Sequence, residues 1–255
     1  MTQSKLPQFR ISIAQNDDDL QAAQRLRYDV FVRELGSDGP MVDHDAGLEK
    51  DRFDPYFDHM LLHDDAIGEV VGVYRLLRPE MAERAGQYYS EDEYNLTQLL
   101  NSGRKLLELG RSCLRCEYRG GMAMFHLWNG LAQYVADHEI EVLFGAASFR
   151  GTDVQTLAAP LSLLHHRHLA PENLRVTVRS ESMQNMDLIA EDQLDCRAAM
   201  LQTPALIKAY LRLGGTVGEG AYVDHVFNTT DVCLILDTAK MNMRQARLYG
   251  VGEKR

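Results

Sequence analysis

Residues Lys105–Leu131, KLLELGRSCLRCEYRGGMAMFHLWNGL, read as a strand, a glycine elbow and a helix. Apolar residues at Met124, Trp128, Leu131 and Val135 recur with a period near 3.6, and Phe125, Leu127 and Tyr134 widen the stripe, which predicts a helix over 122–138. The strand, 106–114, is apolar apart from Glu108 and Arg111, and charges inside such a strand need a reason to be there. Between the two stands Arg119-Gly120-Gly121. Paired glycines turn the chain sharply and bring bare backbone N–H groups, at the positive end of a helix, close to an anion. A ligand carrying phosphate is the expectation from this segment.

Outward from that unit, 9–14 alternates as a first strand, Asp17 to Asp19 start a helix running to Leu35, and 60–62 with 70–77 make an antiparallel hairpin. Residues 36–58 form a long acidic loop in which Asp43, Asp45, Glu49, Asp51, Asp54 and Asp58 fall within sixteen positions. Such a loop is either solvated charge or a surface for a cationic substrate. Helical pieces follow over 79–102, and after the elbow helix comes a short apolar strand at 141–147. Further on, the pattern gives helices near 154–168 and 205–213, a strand near 174–178, and a second hairpin, 222–227 with 232–236, turning across Asn228 to Asp231. No Pro/Gly/Ser linker interrupts the chain, so one domain over 1–255 is expected, with 1–150 as a core half and 151–255 completing the sheet. The class is mixed α/β.

A formal charge of −10 over 255 residues disfavours nonspecific nucleic-acid binding, which depends on neutralising phosphates with Lys and Arg. The first residues lack an apolar signal core, and no run reaches the roughly 18 to 20 apolar residues of a membrane span. A cytoplasmic protein is expected. Cys113 and Cys116 form a C-x-x-C without a second pair, so free thiols are expected rather than a metal knuckle, and no metal site is assigned. His165, His166, Arg167 and His168 end a helical pattern, where cations suit the helix C-terminus.

Two regions carry a family resemblance. Arg27-Tyr-Asp-Val-Phe31, Glu49-Lys-Asp51-Arg-Phe-Asp54, Arg75-Leu-Leu77 and Glu108-Leu-Gly-Arg111 resemble the acyl-homoserine-lactone (AHL) synthases of the Gcn5-related N-acyltransferase superfamily. The run from Pro204 to Thr238 is instead similar to the bacterial ornithine-lipid N-acyltransferases, which share the N-terminal pattern. The resemblance implies a mostly antiparallel central sheet flanked by helices. It also implies transfer of a 3-hydroxy fatty acyl group from acyl carrier protein to the α-amine of ornithine, with acyl-phosphopantetheine as co-substrate and no tightly bound cofactor. The pantetheine arm would then lie in a split between the 106–114 strand and the next one, with its phosphate on the elbow formed by Leu114, Arg119, Gly120, Gly121 and Met122. The elbow is shorter than the family's usual phosphate loop. Contact with the inner membrane would be peripheral, at product release.

The residues can be matched to that chemistry. An amine attacking a thioester must be neutral, so a carboxylate raised by burial, Glu108, is the candidate base; a structural ion pair with Arg75 or Arg111 is the alternative. Arg75 or Arg111 suits a bidentate pair with the amino-acid carboxylate, or braces the acidic loop. Asp51 and Asp54 would attract the substrate's ammonium groups. Glu108 and Arg111, three apart, enter one cleft only if the strand is irregular, and Gly110 suggests a bulge. Basic patches for the acidic carrier protein are 165–168 with Arg150 and Arg175, Lys208 with Arg212, and Arg244 with Arg247. His59 and Asp64 match an H-x4-D acyltransferase pattern weakly, since a strand would point them to opposite faces. Other readings are acylation of another amino acid such as glutamine, an AHL-synthase-like reaction, or a noncatalytic lipid-binding module.

Overall fold

A computed structural model describes residues 6–179, 183–242 and 244 of the chain. The elements run β1 (Phe9–Ile13), α1 (Asp17–Arg27), β2 (Asp58–Asp64), β3 (Glu69–Leu77), α2 (Pro79–Ala85), β4 (Tyr94–Asn95), α3 (Thr97–Leu100), β5 (Leu106–Leu114), α4 (Ala123–Asp137) and β6 (Val142–Arg150). There follow α5 (Ala158–His168), β7 (Thr177–Val178), β8 (Met183–Gln184), α6 (Cys196–Gln202), α7 (Ala205–Arg212), β9 (Thr216–Val217), β10 (Ala221–Asp224) and β11 (Thr229–Asp237).

One sheet of nine strands is ordered β1-β2-β3-β5-β6-β11-β10-β8, with β9 on β11. Its ladders are antiparallel except that between β5 and β6. The expected mixed, mostly antiparallel sheet is therefore present. Alternation sends Leu107, Leu143, Val232, Leu234 and Leu236 to one face, under α4 and α7, and Leu106, Val142, Phe144, Cys233 and Ile235 to the other, against Phe53, Tyr88, Tyr94 and Leu174. Helix α4 buries Ala123, Leu127, Trp128, Leu131 and Tyr134 and packs over β1, β2 and β3. Of the stripe read from the sequence, Met124, Phe125 and Val135 are only partly buried, and Ala123 joins the buried face.

Several expected elements have different bounds. The strands read at 60–62 and 141–147 become Asp58–Asp64 and Val142–Arg150, and the helix read from 154 starts at Ala158. The helix starting at Asp17, capped by Asn16, loses α geometry after Arg27 and continues to Glu34 with wider π turns, in which Leu35 N donates to Val30 O. The strand near 174–178 shortens to Thr177–Val178. In the last hairpin, Asp224 accepts from the N–H groups of Val226 and Phe227 and so makes the turn early. Thr229 to Asp231 thus lie inside β11, whose nine residues all pair with β6.

The β5–β6 ladder holds only Leu106–Val142, Leu107–Leu143 and Glu108–Phe144. Beyond those three pairs the strands part. At the fork, Gly145 lies so close to β5 that a Cβ there would sit 2.1 Å from the Leu109 carbonyl oxygen. Only glycine permits that approach. Gly145→Ala should therefore lower stability by more than ~2 kcal/mol, read from its urea midpoint. An unchanged midpoint would mean that the strands open there without strain.

Candidate active site

Where β5 and β6 separate, a cavity of about 260 Å³ opens between Leu109 to Ser112 on one side and Ala146 to Ser148 with Arg150 on the other. Tyr74, Tyr89, Phe227, Asp224 and Asp231 complete much of its wall. The split between these two strands that the family resemblance implies is thus present. Smaller apolar cavities continue from it past Leu143, Tyr210 and Leu236 toward Trp128 and Val135. The expected bulge is also there. Between the pairs Val73–Cys113 and Arg75–Gly110, β5 carries one more residue than β3, and Arg111 takes a positive φ of 51°. That turn of the backbone lets Arg111 reach the same side as Glu108.

Arg111 does not act alone. It pairs with Glu49 at 3.2 Å and Asp51 at 3.3 Å, donates to the Tyr89 hydroxyl, and lies over the Phe227 ring. Arg27 pairs with Glu49 at 2.5 Å and with Asp54 at 2.8 Å, and Arg75 pairs with Asp51 at 2.6 Å and Asp54 at 2.8 Å. Burial opposes the charged form of Asp54, but the Arg27 and Arg75 guanidiniums outweigh it and hold the carboxyl well below the usual carboxylate range. Glu49 and Asp51 are lowered in the same way, burial opposing and the arginines prevailing. The middle of the acidic loop is therefore a buried ionic lattice, not a solvated strand of charge. Arg75, with 0 % exposure, and Asp54, with 4 %, do not line the cavity, nor does Asp51. Those three brace the loop, and of the residues expected to hold the amino acid only Arg111 faces the cavity.

Glu108 is also placed differently from the expected base. It is 1 % exposed, lies below the fork, and does not line the cavity. Its two carboxylate oxygens accept the backbone N–H groups of Tyr89 at 2.7 Å and Ser90 at 2.6 Å. Nor is it ion-paired with Arg75 or Arg111. Glu108 instead fixes the turn that carries Tyr89 into the cavity wall, so its influence on the site passes through that turn. Burial pushes its carboxyl up to about 7, against the bonds from Ser90 and Tyr89.

At the elbow Gly120 has a positive φ of 74°, and α4 starts without a side-chain cap. Met122 is exposed, a Cβ on Gly120 would meet nothing within 4 Å, and one on Gly121 would meet the Tyr118 carbonyl oxygen at 3.8 Å. Arg119 turns back: it donates to the Leu114 carbonyl at 2.8 Å and pairs with Glu34. The residues of the elbow thus stand together at the C-terminal end of β5, with the Arg119 charge already partly matched.

Sequence reading missed three carboxylates. Glu93, Asp224 and Asp231 bring oxygens within 4.8 Å of one another, and Asp231, which the sequence pattern puts in a turn, lies in β11. The other motifs have structural partners. His59 Nε2 bonds to the Asp54 carbonyl, and Asp64 accepts from Gln8 and Tyr118, so the H-x4-D pair is not a unit. Cys113 and Cys116 are free thiols. The 165–168 run ends α5 as expected, with His166 on the Ile189 carbonyl and Arg167 on Glu191. Arg247 lies outside the described residues. No described helix is long and apolar enough to cross a membrane.

The chain is similar to known proteins over most of its length. Residues 26–129 match the Acetyltransferase (GNAT) domain family. The chain is 54 % identical to the L-ornithine N(alpha)-acyltransferase of Rhodobacter capsulatus, over 94 % of each chain. It is 38 % identical to the protein of that name from Brucella abortus, over 98 % of this chain and 92 % of the other. Among solved structures, the AHL synthase LasI superposes with a TM-score of 0.50 at 18 % identity, covering 98 % of this chain and 100 % of LasI. FeeM, an N-acyl amino acid synthase from uncultured soil microbes, gives 0.51 at 12 % identity over 95 % and 99 %. These two show a shared fold.

The raised Glu108 carboxyl has a consequence for stability. Between the unfolded value near 4.5 and the folded value of about 7 the folded protein holds a proton that the unfolded chain has released, so stability falls as pH rises through that window. Relative to Glu108→Gln, the wild type should lose up to ~3 kcal/mol between those pH values and nothing further above them. Denaturant titrations of both proteins across the window check this, and a constant difference would remove the raised value.

Proposed function

The chain belongs to the L-ornithine N(alpha)-acyltransferases, and from that membership we propose that its cavity presents the α-amine of ornithine to a 3-hydroxy fatty acyl thioester on acyl carrier protein, giving lyso-ornithine lipid. The observation that carries the reading is the fork between β5 and β6, which opens a chamber of mixed polar and apolar walls backed by apolar space. Such a chamber suits a thioester whose carbonyl stands among polar groups while its chain runs on past Leu143, Tyr210 and Leu236.

The reaction needs one proton removed from the α-ammonium before attack. The neutral nitrogen then bonds to the thioester carbon, the C–S bond breaks, and the second amine proton balances the departing thiolate. The thioester is already activated, so holding the two reactants together supplies most of the acceleration. Arg111, fixed from behind by Glu49 and Asp51, is the cation placed to orient the amino-acid carboxylate.

The phosphate of the carrier protein's arm would meet the elbow at Gly120 to Met122, where bare N–H groups open the 15-residue helix α4. Arg150 on the cavity wall, or separately Lys208 with Arg212 on α7, would offer a basic surface to the acidic carrier. The amphiphilic product would leave by a peripheral contact at the membrane surface.

Purified protein incubated with 3-hydroxyacyl carrier protein and a panel of free amino acids should yield acyl-ornithine by mass. Acyl-coenzyme A in parallel should be a poorer donor. A product on glutamine and none on ornithine would overturn the acceptor, and equal use of acyl-coenzyme A would overturn the carrier protein.

A further inference from the structure

Carboxylates on the two sides of the cavity are treated differently. Glu49, Asp51 and Asp54 each have an arginine partner. Glu93, Asp224 and Asp231 have no salt bridge among the described residues, although their oxygens approach within 4.8 Å. Glu93 and Asp231 are each only 5 % exposed, and Glu93 Oε2 and Asp231 Oδ1 have no hydrogen-bond partner. Two orphaned, buried carboxylate oxygens beside a third acid constitute an unfavourable arrangement unless one acid keeps its proton or a cation enters. Arg111 is the nearby cation, and its own bonds run to Glu49, Asp51 and Tyr89.

We infer that Glu93, Asp224 and Asp231 form the subsite for the side-chain ammonium of the acceptor, and so set its selectivity for a diamino acid. This rests on the acceptor reading above. An alkylammonium carries three N–H donors and no acceptor, which matches the three carboxylates. Asp231 also meets the Ser148 and Thr229 hydroxyls, and Asp224 accepts from Val226 and Phe227, so the oxygens left for an ammonium are chiefly Glu93 Oε2 and Asp231 Oδ1. Asp224 and Asp231 line the cavity, while Glu93 stands behind them. The elements that build the pocket meet there: Glu93 precedes β4, whose Tyr94 hydroxyl donates to the Asp231 carbonyl, and Asp224 ends β10 beside β11. Burial, then the charge of Asp231, pushes the Glu93 carboxyl up, the state of an acid pair lacking its counter-ion. Arg111 and the acidic subsite would bind opposite ends of one zwitterionic molecule, leaving the α-amine between them.

The test compares ornithine with norvaline, which has the same carbon chain without the terminal amine, using 3-hydroxyacyl carrier protein as donor. The wild type should favour ornithine strongly in kcat/KM. Asp231→Asn, and separately Glu93→Gln, should lower the ornithine-to-norvaline ratio at least ~10-fold, chiefly through a higher KM for ornithine. Neither should melt below the wild type, because each removes like-charge repulsion, and two sites on separate elements guard against one failing to fold. A ratio unchanged in both variants, or a fall in kcat that is equal for both acceptors, overturns the subsite. So does loss of the wild-type preference on chelation, which would make the cluster a divalent-cation site. If the wild type acylates neither acceptor, the acceptor reading and this subsite fall together; if it prefers ornithine and the variants do too, only the subsite falls.

Discussion

The buried lattice of Arg27, Arg75 and Arg111 with Glu49, Asp51 and Asp54 is the interaction on which the site depends. It ties α1, the long loop and two neighbouring strands into one charged layer beneath the cavity. Removing one partner leaves an uncompensated buried charge, which is strongly destabilising, so the lattice is far less tolerant than a surface ion pair. It also holds Arg111 in a left-handed backbone conformation that a non-glycine residue adopts at a cost of roughly 1–3 kcal/mol. Strain in the strand and the counter-charges behind it together aim one guanidinium at the cleft.

Much of this was legible in the sequence, and what was not has physical reasons. The period of α4, the glycine elbow and the hairpin of β2 and β3 are local patterns, and local patterns survive in a one-dimensional reading. Gly110 signalled an irregular strand, although the positive φ falls on its neighbour Arg111. The lattice was hidden because Arg27, Arg75 and Arg111 lie far from 49–54 in the chain, and an acidic loop has the same composition whether water or arginine surrounds it. For that reason the sequence leaves Arg75 open between a substrate contact and a brace for the loop, and Asp54 between a substrate contact and a solvated loop residue.

Glu108 and Asp231 show the same limit from opposite sides. Glu108 stands out in an apolar strand, but its partners are two backbone N–H groups of a distant turn, which no side-chain pattern encodes. Asp231 looked like a turn residue because polar residues precede the apolar run of β11; the actual turn, tied by the Asp224 side chain, ends before Thr229. A shift of that boundary converts a solvated acid into a buried one.

The three-pair junction of β5 with β6 also bears on how the chain is made. Until β11 emerges from the ribosome, roughly 80 residues after β6, that strand has one short ladder and a bare nine-residue edge. Non-local pairing of this kind forms late, and an open edge invites pairing with other chains. The second wall of the cleft is thus completed only once β11 has been made, and any nascent chain arrested before Thr229 presents a sticky β edge in place of a binding site.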